Sequence, residues 1–447
     1  MFDKILIANR GEVALRIIRA AREMGIQTVI AYSEADKDSE PVRMADQAVC
    51  IGPAQSAKSY LNMQAIIGAA KISGAQAVHP GYGFLAENSD FARACIDNDL
   101  VFIGPDPDVM DLLGNKTKAK DTAKKADVPT VPGSDGPINS AEEAKEFAAE
   151  VGYPVLIKAS LGGGGKGMRE VHCDEDMDNA YSMAKSESLQ SFGDDTVYLE
   201  KLVLHPRHVE IQILADKHGN AMHLCERDCS IQRRHQKLIE EAPSPALDEE
   251  LRQRMGETAV RMVKASGYTN AGTIEFLLDD DKNFYFMEMN TRVQVEHGVS
   301  ELITGIDIIK EQFRIAAGEE MTCKDRAPIS PNGHSMEFRI NAEDPDNDFR
   351  PCPGKITKLR LPGGPGVRVD TSVYEGYTVT PYYDSMVAKL MVWGADREEC
   401  IARAGRALGE FQIEGIKTTI PFHQKVVENE TFRRGDAHTD FIENEGL

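Results

Sequence analysis

Short apolar runs alternate with helical patterns over the first hundred residues. Buried strands are predicted at residues 4–8, 27–32, 77–80 and 101–105. An amphipathic helix is predicted at 12–24, between the first two strands. Strands that alternate with helices favour an open parallel sheet, so we predict a Rossmann-like domain at 1–114. Its first turn holds only Gly11, where a dinucleotide fingerprint needs three spaced glycines, so NAD or FAD binding is not expected.

The pattern changes after residue 115. Two helices are predicted within 115–150, separated by a Pro- and Gly-containing linker at 128–133. Strands are then predicted at 155–159, 168–171, 197–199, 209–214 and 221–224, and a helix at 248–266. From about residue 334, short strands, Pro/Gly turns and one helix at 397–408 indicate a mixed C-terminal domain. We predict an α/β and α+β chain of three domains, at 1–114, 115–333 and 334–447, with a lid at about 132–203 in the second.

Four consecutive glycines, residues 162–165, precede Lys166. A P-loop is excluded, because Ser160 stands where its first Gly is needed and Gly167 where its Ser or Thr is needed. The loop also lies between two strands rather than before a helix. Backbone N–H groups free of side-chain bulk can close over a triphosphate, so we predict a phosphate-binding flap, with a merely flexible loop as the alternative. Lys116 and Lys158 are candidate cations for the phosphates.

A hairpin is predicted from two apolar strands at 272–278 and 284–290. If its loop is residues 280–283, then 279 pairs with 284, 277 with 286, and Glu275 lies opposite Glu288. Like charges at that spacing are destabilising unless a cation bridges them, and oxygen ligands suit Mg²⁺. Asn290 has the same parity as Glu288 and would add a third oxygen. The alternative places both glutamates in water on an outer face.

Polar residues continue at alternate positions to Glu296. A straight strand would separate Glu288 from Glu296 by about 26 Å, so a shared site requires the chain to bend after Asn290. Arg292 would then hold a small planar oxyanion through two hydrogen bonds, and Glu296 would take a proton from it.

Composition limits the possible partners. The 447 residues carry 72 Asp and Glu against 51 Lys and Arg, a formal net charge of -21, which disfavours binding to nucleic acid or an anionic membrane. We find no apolar stretch of roughly 18 to 20 residues and no secretory h-region. The eight cysteines lack paired short spacings. We therefore expect a cytoplasmic protein.

Several long motifs resemble the biotin carboxylase family, a branch of the ATP-grasp enzymes. They are Lys158 with the glycine loop, HPRHVE at 205–210, ERDCS at 226–230, QRRHQK at 232–237 and EMNTRVQVEH at 288–297. IANRGE at 7–12, residues 79–88 and YYDSM at 382–386 extend the similarity over essentially the whole chain. The resemblance implies an ATP-grasp fold with a mobile glycine-rich lid.

It also implies roles for individual residues. Contacts to the phosphates are implied for Lys116, Lys158, Gly164 and Gly165. The adenine-side hinge would be Glu200, Lys201, Leu202 and Val203, with His208 and His235 toward the ribose and phosphates. The implied metal ligands are Glu275, Glu288 and Asn290. The implied bicarbonate pocket is Lys237, Arg292, Gln294, Val295 and Glu296, and Arg339 would face biotin.

The implied reaction is the carboxylation of biotin by ATP and bicarbonate through carboxyphosphate, with two Mg²⁺ ions for which Mn²⁺ would substitute. The chain lacks a Met-Lys-Met biotinylation sequence, so the biotin is expected on a separate carrier protein that works with a carboxyltransferase subunit. The final acceptor stays open among acetyl-CoA, pyruvate and other acyl-CoA substrates. A homodimer is implied through helix 12–24, with Arg16 and Arg19.

Two other functions are weighed. Another ATP-grasp ligase acting through an acyl phosphate is disfavoured by the intact 292–296 run and Arg339. A non-catalytic ATP-binding regulator would be expected to lack Lys237 or Glu296, and both are present. Two positions depart from the family: Leu161 precedes four glycines rather than five, and Gly298 replaces a proline. We expect Gly298 to loosen the backbone beside Glu296.

Overall fold

The N-terminal lobe is built on a parallel sheet, as predicted. The computed structural model describes residues 1–134, 136–159, 168–192 and 194–447. The strands are β1 (Lys4–Ile7), β2 (Gln27–Ser33), β3 (Gln47–Gly52), β4 (Ala77–His79) and β5 (Val101–Phe102), in the order β3-β2-β1-β4-β5. The helices are α1 (Gly11–Glu23), α2 (Glu40–Met44), α3 (Met63–Ser73), α4 (Ser89–Asp97) and α5 (Pro107–Gly114).

Both faces of this sheet are covered. Ile5 and Ile7 of β1 pack in the cluster that contains Ile17 of α1, whereas Leu6 packs with Ile66 of α3 on the opposite face. A strand buried on both faces has a continuous apolar run, which is why β1 was predictable. Strand β3 was not predicted, because it is a partly exposed edge strand without such a run.

The lid is a small unit with its own core. It follows α6 (Lys116–Lys125) and consists of α7 (Ala141–Val151), β6 (Val155–Ala159), β7 (Met168–Val171), α8 (Asp174–Phe192) and β8 (Val197–Lys201). Its antiparallel sheet has the order β7-β6-β8 and packs against α7 and α8 through Ala144, Ile157 and Met177. The predicted strands are confirmed, and α8 was missed. Residues 160–167, with the glycine loop, lie outside the described residues.

The central and C-terminal parts share one antiparallel sheet. The central elements are β9 (Arg207–Ala215), β10 (Ala221–Arg233), β11 (Gln236–Ala242), α9 (Glu249–Ser266), β12 (Asn270–Leu278), β13 (Phe284–Asn290), α10 (His297–Thr304) and α11 (Ile308–Ala316). The C-terminal strands are β14 (His334–Asn341), β15 (Glu343–Asp344), β16 (Arg350–Pro351), β17 (Gly354–Lys355), β18 (Lys358–Arg360), β19 (Val367–Thr371), β20 (Thr378–Val379), β21 (Met386–Gly394) and β22 (Gln412–Glu414). The helices there are α12 (Arg397–Glu410), α13 (Ile420–Glu428), α14 (Glu430–Arg434) and α15 (Phe441–Glu445).

This sheet has the strand order β13-β12-β9-β10-β11-β14-β21-β19. Strand β14 pairs with β11, so the sheet continues across the boundary that the sequence suggested near residue 334. Polar side chains that these strands direct to the same face can therefore meet across this boundary, as Lys237 of β11 and Arg339 of β14 do at Glu296.

Strand β10 runs nine residues beyond its predicted end at 224, and β11 was not predicted. Both strands contain charged residues, which interrupt the apolar pattern that predicts a strand. In β10, Glu226, Arg227 and Asp228 are buried. Buried charges are tolerated where they pair with one another, which local patterns do not reveal. The register also shifts between His223 and Glu226.

The acidic hairpin confirms one predicted pairing and corrects two others. Glu275 lies opposite Glu288, as predicted. Nearer the turn, however, Leu278 pairs with Phe284 and Phe276 with Phe286, so the predicted 279–284 and 277–286 pairs are wrong. The connection is one residue longer than predicted, and a register shift beside Glu275 restores the alignment of the two glutamates.

Candidate active site

Lys237 is the centre of a buried cluster of carboxylates. Its Nζ atom lies 2.6 Å from Glu210 Oε2, 2.7 Å from Glu296 Oε1 and 3.0 Å from Glu275 Oε1. Glu210 lies in β9, Glu275 in β12 and Glu296 in the segment before α10. Strands β9 and β12 are neighbours in the sheet, which brings their glutamates together. Burial opposes the positive charge, but Glu210 and Glu296 outweigh it and raise the pKa of Lys237 well above its ordinary value. The ammonium is therefore a fixed positive charge.

Arg339 holds the other oxygen of Glu296. Its Nη2 atom lies 3.0 Å from Glu296 Oε2, and its Nε donates to Glu240 Oε1 at 2.6 Å. Burial disfavours the Glu296 carboxylate, yet Lys237 and Arg339 together hold its pKa well below the ordinary value. Two residues that are 102 positions apart in the sequence, Lys237 and Arg339, thus grip the same carboxylate.

Arg227 supports this cluster from inside the sheet. Its side chain is fully buried, and its Nε donates to Glu210 Oε1 at 2.5 Å. Its remaining nitrogens donate to Gln212 at 2.6 Å and to Ser300 and Thr273 at 3.0 Å. A guanidinium with every nitrogen engaged holds Glu210 firmly beneath Lys237.

The predicted metal ligands lie at the end of the hairpin. Glu288 is exposed at the protein surface, but partial desolvation of its carboxylate, and then the charge of Glu275, raise its pKa; the contribution of Glu275 is the like-charge conflict that the register predicted. His208 Nε2 lies 3.2 Å from Glu275 Oε2, and the ligand atoms of His208, Glu210 and Glu275 lie within 4.8 Å of one another. Oxygen donors that repel one another in the absence of a cation fit Mg²⁺.

Asn290 contacts the same site through its side chain. Its Nδ2 donates to Glu275 Oε1 at 2.8 Å, and its Oδ1 accepts from Arg292 Nη2 at 2.8 Å. A second group of metal-type donors, Glu210, Cys229 and Glu296, also converges. The Lys237 ammonium already contacts both carboxylates of that group, and burial raises the pKa of the Cys229 thiol well above its ordinary value.

The chain bends after Asn290, as predicted, because β13 ends there and α10 begins at His297. Arg292 Nε pairs with Glu87 Oε2 of the N-terminal lobe at 2.9 Å. Gln294 Nε2 donates to Glu275 Oε1 at 2.9 Å, and the backbone oxygen of Val295 accepts from Lys389 Nζ at 2.6 Å. The bend therefore carries residues of one segment to both the Glu275 side and the Glu296 side of the site.

The lid and helix α6, which precedes it, contribute a second basic group. The ammonium groups of Lys158 and Lys120 both contact the carboxylate of Glu200. Lys116 begins α6, and its charge acts on Glu288. Lys201 ends β8, where its Nζ donates to the backbone oxygen of Gly152 at 2.8 Å.

The remaining predicted nucleotide residues lie in the connection from β8 to β9 and at the turn between β10 and β11, apart from two glycines of the loop. Leu202 donates its backbone N–H to Pro154 at 3.1 Å, and Val203 follows it in a partly buried connection to β9. His235 lies exposed at the turn between β10 and β11, two residues from Lys237. Gly164 and Gly165 lie outside the described residues.

Gly298 has a packing role that the sequence did not reveal. It is buried within α10, and a Cβ atom at this position would lie 2.2 Å from the Met391 sulfur. The glycine makes room for the buried Met391 side chain of β21.

Sequence reasoning missed several residues of the site. They are Glu87, Lys120, Glu210, Arg227, Glu240, Glu337 and Lys389. Most of them occupy strands whose charged residues have no local explanation, and that excess of charge within apolar strands was the available signal. Lys120 also had a signal in the sequence, because it follows Lys116 by four residues and so lies on the same face of a helix.

A three-stranded lid beside an antiparallel sheet, with opposed carboxylates and an enclosed lysine, defines an ATP-grasp enzyme. Family models agree: residues 1–110 match the biotin carboxylase N-terminal domain, 115–324 the ATP-binding domain of the carbamoyl-phosphate synthase L chain, and 337–444 the biotin carboxylase C-terminal domain. The chain belongs to the biotin carboxylase family, so the predicted fold and enzyme class, an ATP-dependent ligase, are confirmed.

Individual relatives cover the chain almost completely. It is 55% identical over 444 residues to biotin carboxylase 1 of Bacillus subtilis, covering 99% of this chain and 98% of that protein. It is 53% identical to a pyruvate carboxylase subunit of Methanothermobacter thermautotrophicus, covering 99% and 90%. Among solved structures, the chain resembles the biotin carboxylase domain of 2-oxoglutarate carboxylase from Hydrogenobacter thermophilus, with a TM-score of 0.90 and 49% sequence identity. The match covers 100% of this chain and 98% of that chain, and that structure is a dimer in complex with MgADP, ADP and bicarbonate.

Within the described part of the chain, none of the helices is both long and apolar enough to cross a membrane.

Proposed function

We propose that this protein carboxylates biotin on a separate carrier protein, with ATP and bicarbonate as substrates and carboxyphosphate as the intermediate. The observation that supports it best is the shared grip of Lys237 and Arg339 on Glu296, at 2.7 Å and 3.0 Å from its two oxygens, beside Glu275. This arrangement sets a base, an anion-binding pair and a metal ligand within one small site.

The nucleotide lies between the lid and the central sheet in this proposal. Lys116 and Lys158 contact its phosphates, with the glycines of the loop, and the chain at 200–203 borders the adenine. Glu275, Glu288 and Asn290 hold magnesium, and His208 and Glu210 complete their surroundings. When bound, two magnesium ions neutralise the negative charge that develops on the β- and γ-phosphates.

Glu296 is the base in the first step. As bicarbonate and the γ-phosphate take a share of Lys237 and Arg339, these cations hold Glu296 less tightly and its pKa rises toward the ordinary value. Glu296 takes the bicarbonate proton, a bicarbonate oxygen bonds to the γ-phosphorus, and the bond from that phosphorus to the ADP oxygen breaks. Carboxyphosphate and ADP result, with Lys237 stabilising the transferred group.

Arg339 acts in the second step. Carboxyphosphate divides into carbon dioxide and phosphate, and the phosphate takes the N1 proton of biotin. The N1 nitrogen then bonds to the carbon of carbon dioxide. Arg339 donates to the ureido oxygen, where negative charge accumulates. Closure of the lid excludes water, which would otherwise hydrolyse the intermediate.

Three working units follow from this proposal, at 1–114, 115–333 and 334–447, with the lid at about 132–203. A carboxyltransferase subunit takes the carboxyl group onward, and relatives named for different carboxylases leave its final acceptor open. A homodimer through α1 is supported by the dimeric 2-oxoglutarate carboxylase neighbour and by the exposed Arg19 on that helix.

Bicarbonate-dependent ATP hydrolysis tests the function. We expect the rate to require bicarbonate and Mg²⁺ and to rise when free biotin is added at high concentration. A different ATP-grasp ligase would be insensitive to biotin, and a regulatory protein would bind ATP without turnover, so either result would contradict the proposal. Carboxybiotin formation from labelled bicarbonate is the direct product assay.

A further inference from the structure

Two buried carboxylates face each other behind Arg339. Glu240 of β11 and Glu337 of β14 are direct partners in the antiparallel pair, and both are fully buried. Like charges directly opposite on neighbouring strands destabilise a sheet, and burial removes the water that would screen them. The pair therefore needs either two cations or a proton.

The surrounding cations are too few for two negative charges. Arg339 serves Glu240 at 2.6 Å but also Glu296 at 3.0 Å. Lys389 Nζ is 4.0 Å from Glu337 Oε2, and it lies closer to Glu12 Oε1, at 3.5 Å. Among the described residues, neither oxygen of Glu337 and only one oxygen of Glu240 has a hydrogen-bond partner.

The electrostatics agree with this geometry. Burial, and then the charge of Glu240, raise the pKa of Glu337 well above its ordinary value, although Lys389 opposes the shift. Burial raises the pKa of Glu240 to about 7, with Arg339 opposing and Glu296 adding to the rise. The titratable and charged groups that face the pair are Lys237 on β11, Cys229 on β10, Arg339 on β14, Lys389 on β21, Glu296 before α10, Glu12 on α1 and Tyr82 after β4.

We propose that Glu240 is a positioning residue that aims Arg339 at the reaction centre, and that Glu337 stores a proton so that Glu240 can stay charged. Glu240 Oε1 lies 2.6 Å from Nε and 2.5 Å from Nη2 of Arg339, which fixes the guanidinium with Nη2 also reaching Glu296, the side on which biotin reacts. This assignment rests on the proposed function. As the pH falls and Glu240 takes up a proton, its carboxylate binds Arg339 less tightly. The biotin-dependent rate should therefore decline as the pH falls near neutrality, which gives the pH profile an acid limb.

Three isosteric variants test the roles: Glu240→Gln, Glu337→Gln and, as a matched control, Glu241→Gln. Glu241 is the adjacent buried glutamate, which pairs with Arg397 and His334 outside the site. We expect Glu240→Gln to lower kcat/KM for biotin about tenfold to a hundredfold, the worth of one hydrogen bond to a charged group, with the KM for ATP unchanged and the acid limb lost.

Glu337→Gln is expected to keep both the rate at pH 8 and the acid limb, because glutamine resembles the protonated acid. The control is expected to lower the melting temperature without changing the pH profile. Loss of biotin turnover in Glu337→Gln equal to that in Glu240→Gln would overturn the proposal, as would parallel changes in the KM values for ATP and biotin in Glu240→Gln.

Infrared difference spectroscopy tests the stored proton directly, whatever reaction the enzyme performs. The wild-type protein at pH 8 should show the C=O stretch of a buried protonated carboxyl group, and that band should be missing from Glu337→Gln and present in Glu241→Gln. An unchanged spectrum in Glu337→Gln would show that Glu337 is ionised. It would rule out a proton stored on Glu337 even if biotin is carboxylated.

Discussion

Neighbouring charges shift the pKa values of individual glutamates of the site in opposite directions. Lys237 and Arg339 keep Glu296 ionised, while Glu275 makes Glu288 harder to ionise. The proposed function therefore assigns the same type of side chain as a base in one position and as a metal ligand in another, because its neighbours differ.

We expect Glu296→Gln to reduce bicarbonate-dependent ATP turnover by about 10²- to 10⁴-fold, the usual contribution of a general base, while binding of Mg-ATP persists. Glu275→Gln should instead weaken Mg-ATP binding, because the proposed metal ligand loses its charge. Titration of each variant with Mg-ATP, followed by single-turnover kinetics, measures both properties. Equal losses of binding and turnover in the two variants would contradict the separate roles.

Gly298 allows a second test at this scale. Gly298→Ala should lower the free energy of unfolding by about 1–3 kcal/mol, the usual cost of overpacking, because the new methyl group meets Met391. Met391→Val removes the obstructing sulfur, so the double variant should recover much of the loss. Denaturant unfolding of the four proteins gives the coupling energy, and strict additivity would show that Met391 is not the obstacle.

Among the elements, α6 and β8 connect the lid to the body of the protein. Helix α6 packs on the central sheet through Ala119 and Ala123, and β8 belongs to the lid sheet. The pair formed by Lys120 and Glu200 therefore crosses between the two units. Lys158 competes for the same carboxylate from within the lid.

We predict that Lys120→Met raises the KM for ATP roughly two- to fivefold, in line with the modest worth of a partly exposed ion pair. Without Lys120, Glu200 holds Lys158 more strongly and leaves it less available to the phosphates. Lys118→Met on the same helix is the matched control, since that side chain is exposed. Steady-state kinetics with ATP varied would refute the prediction if both variants behaved alike.

The whole molecule carries a net charge of -21. It also buries neutral histidines between its layers. His79 of β4 accepts from the Gly81 backbone N–H at 3.0 Å and lies 3.2 Å from Gln312 of α11, and burial lowers its pKa to about 3. His423 of α13 donates to the Arg339 backbone oxygen at 2.8 Å, and burial lowers its pKa to about 4.

These histidines predict acid sensitivity. Unfolded histidine binds a proton near pH 6.5, but the folded protein does not until pH 3 to 4, so the unfolded state binds more protons in that window. Stability is full above pH 6.5 and should fall by about 1.4 kcal/mol per histidine for each pH unit below it. His79→Gln should show a shallower decline in urea unfolding between pH 6.5 and 4.5, and a slope equal to that of the wild type would contradict this origin.

The sequence by itself determined the elements whose signal is local. The run in β1 and the flanks of the glycine loop sufficed to predict the parallel sheet and the lid strands. The opposition of Glu275 and Glu288 was predicted from parity, but it is the register shift beside Glu275 that aligns the two residues. The long motifs indicated the family, because they extend over the whole chain. Each of these signals depends on neighbours in the chain.

Only the tertiary structure decided which distant charges meet. Glu240, Glu337 and Arg227 appear in the sequence as unexplained charges within strands, and Gly298 as a source of flexibility. Pairing of β11 with β14 brings the two glutamates face to face, and β21 supplies the methionine that requires the glycine. The energy of a buried charge depends on partners from other strands, so no local pattern could have shown which of these residues pair.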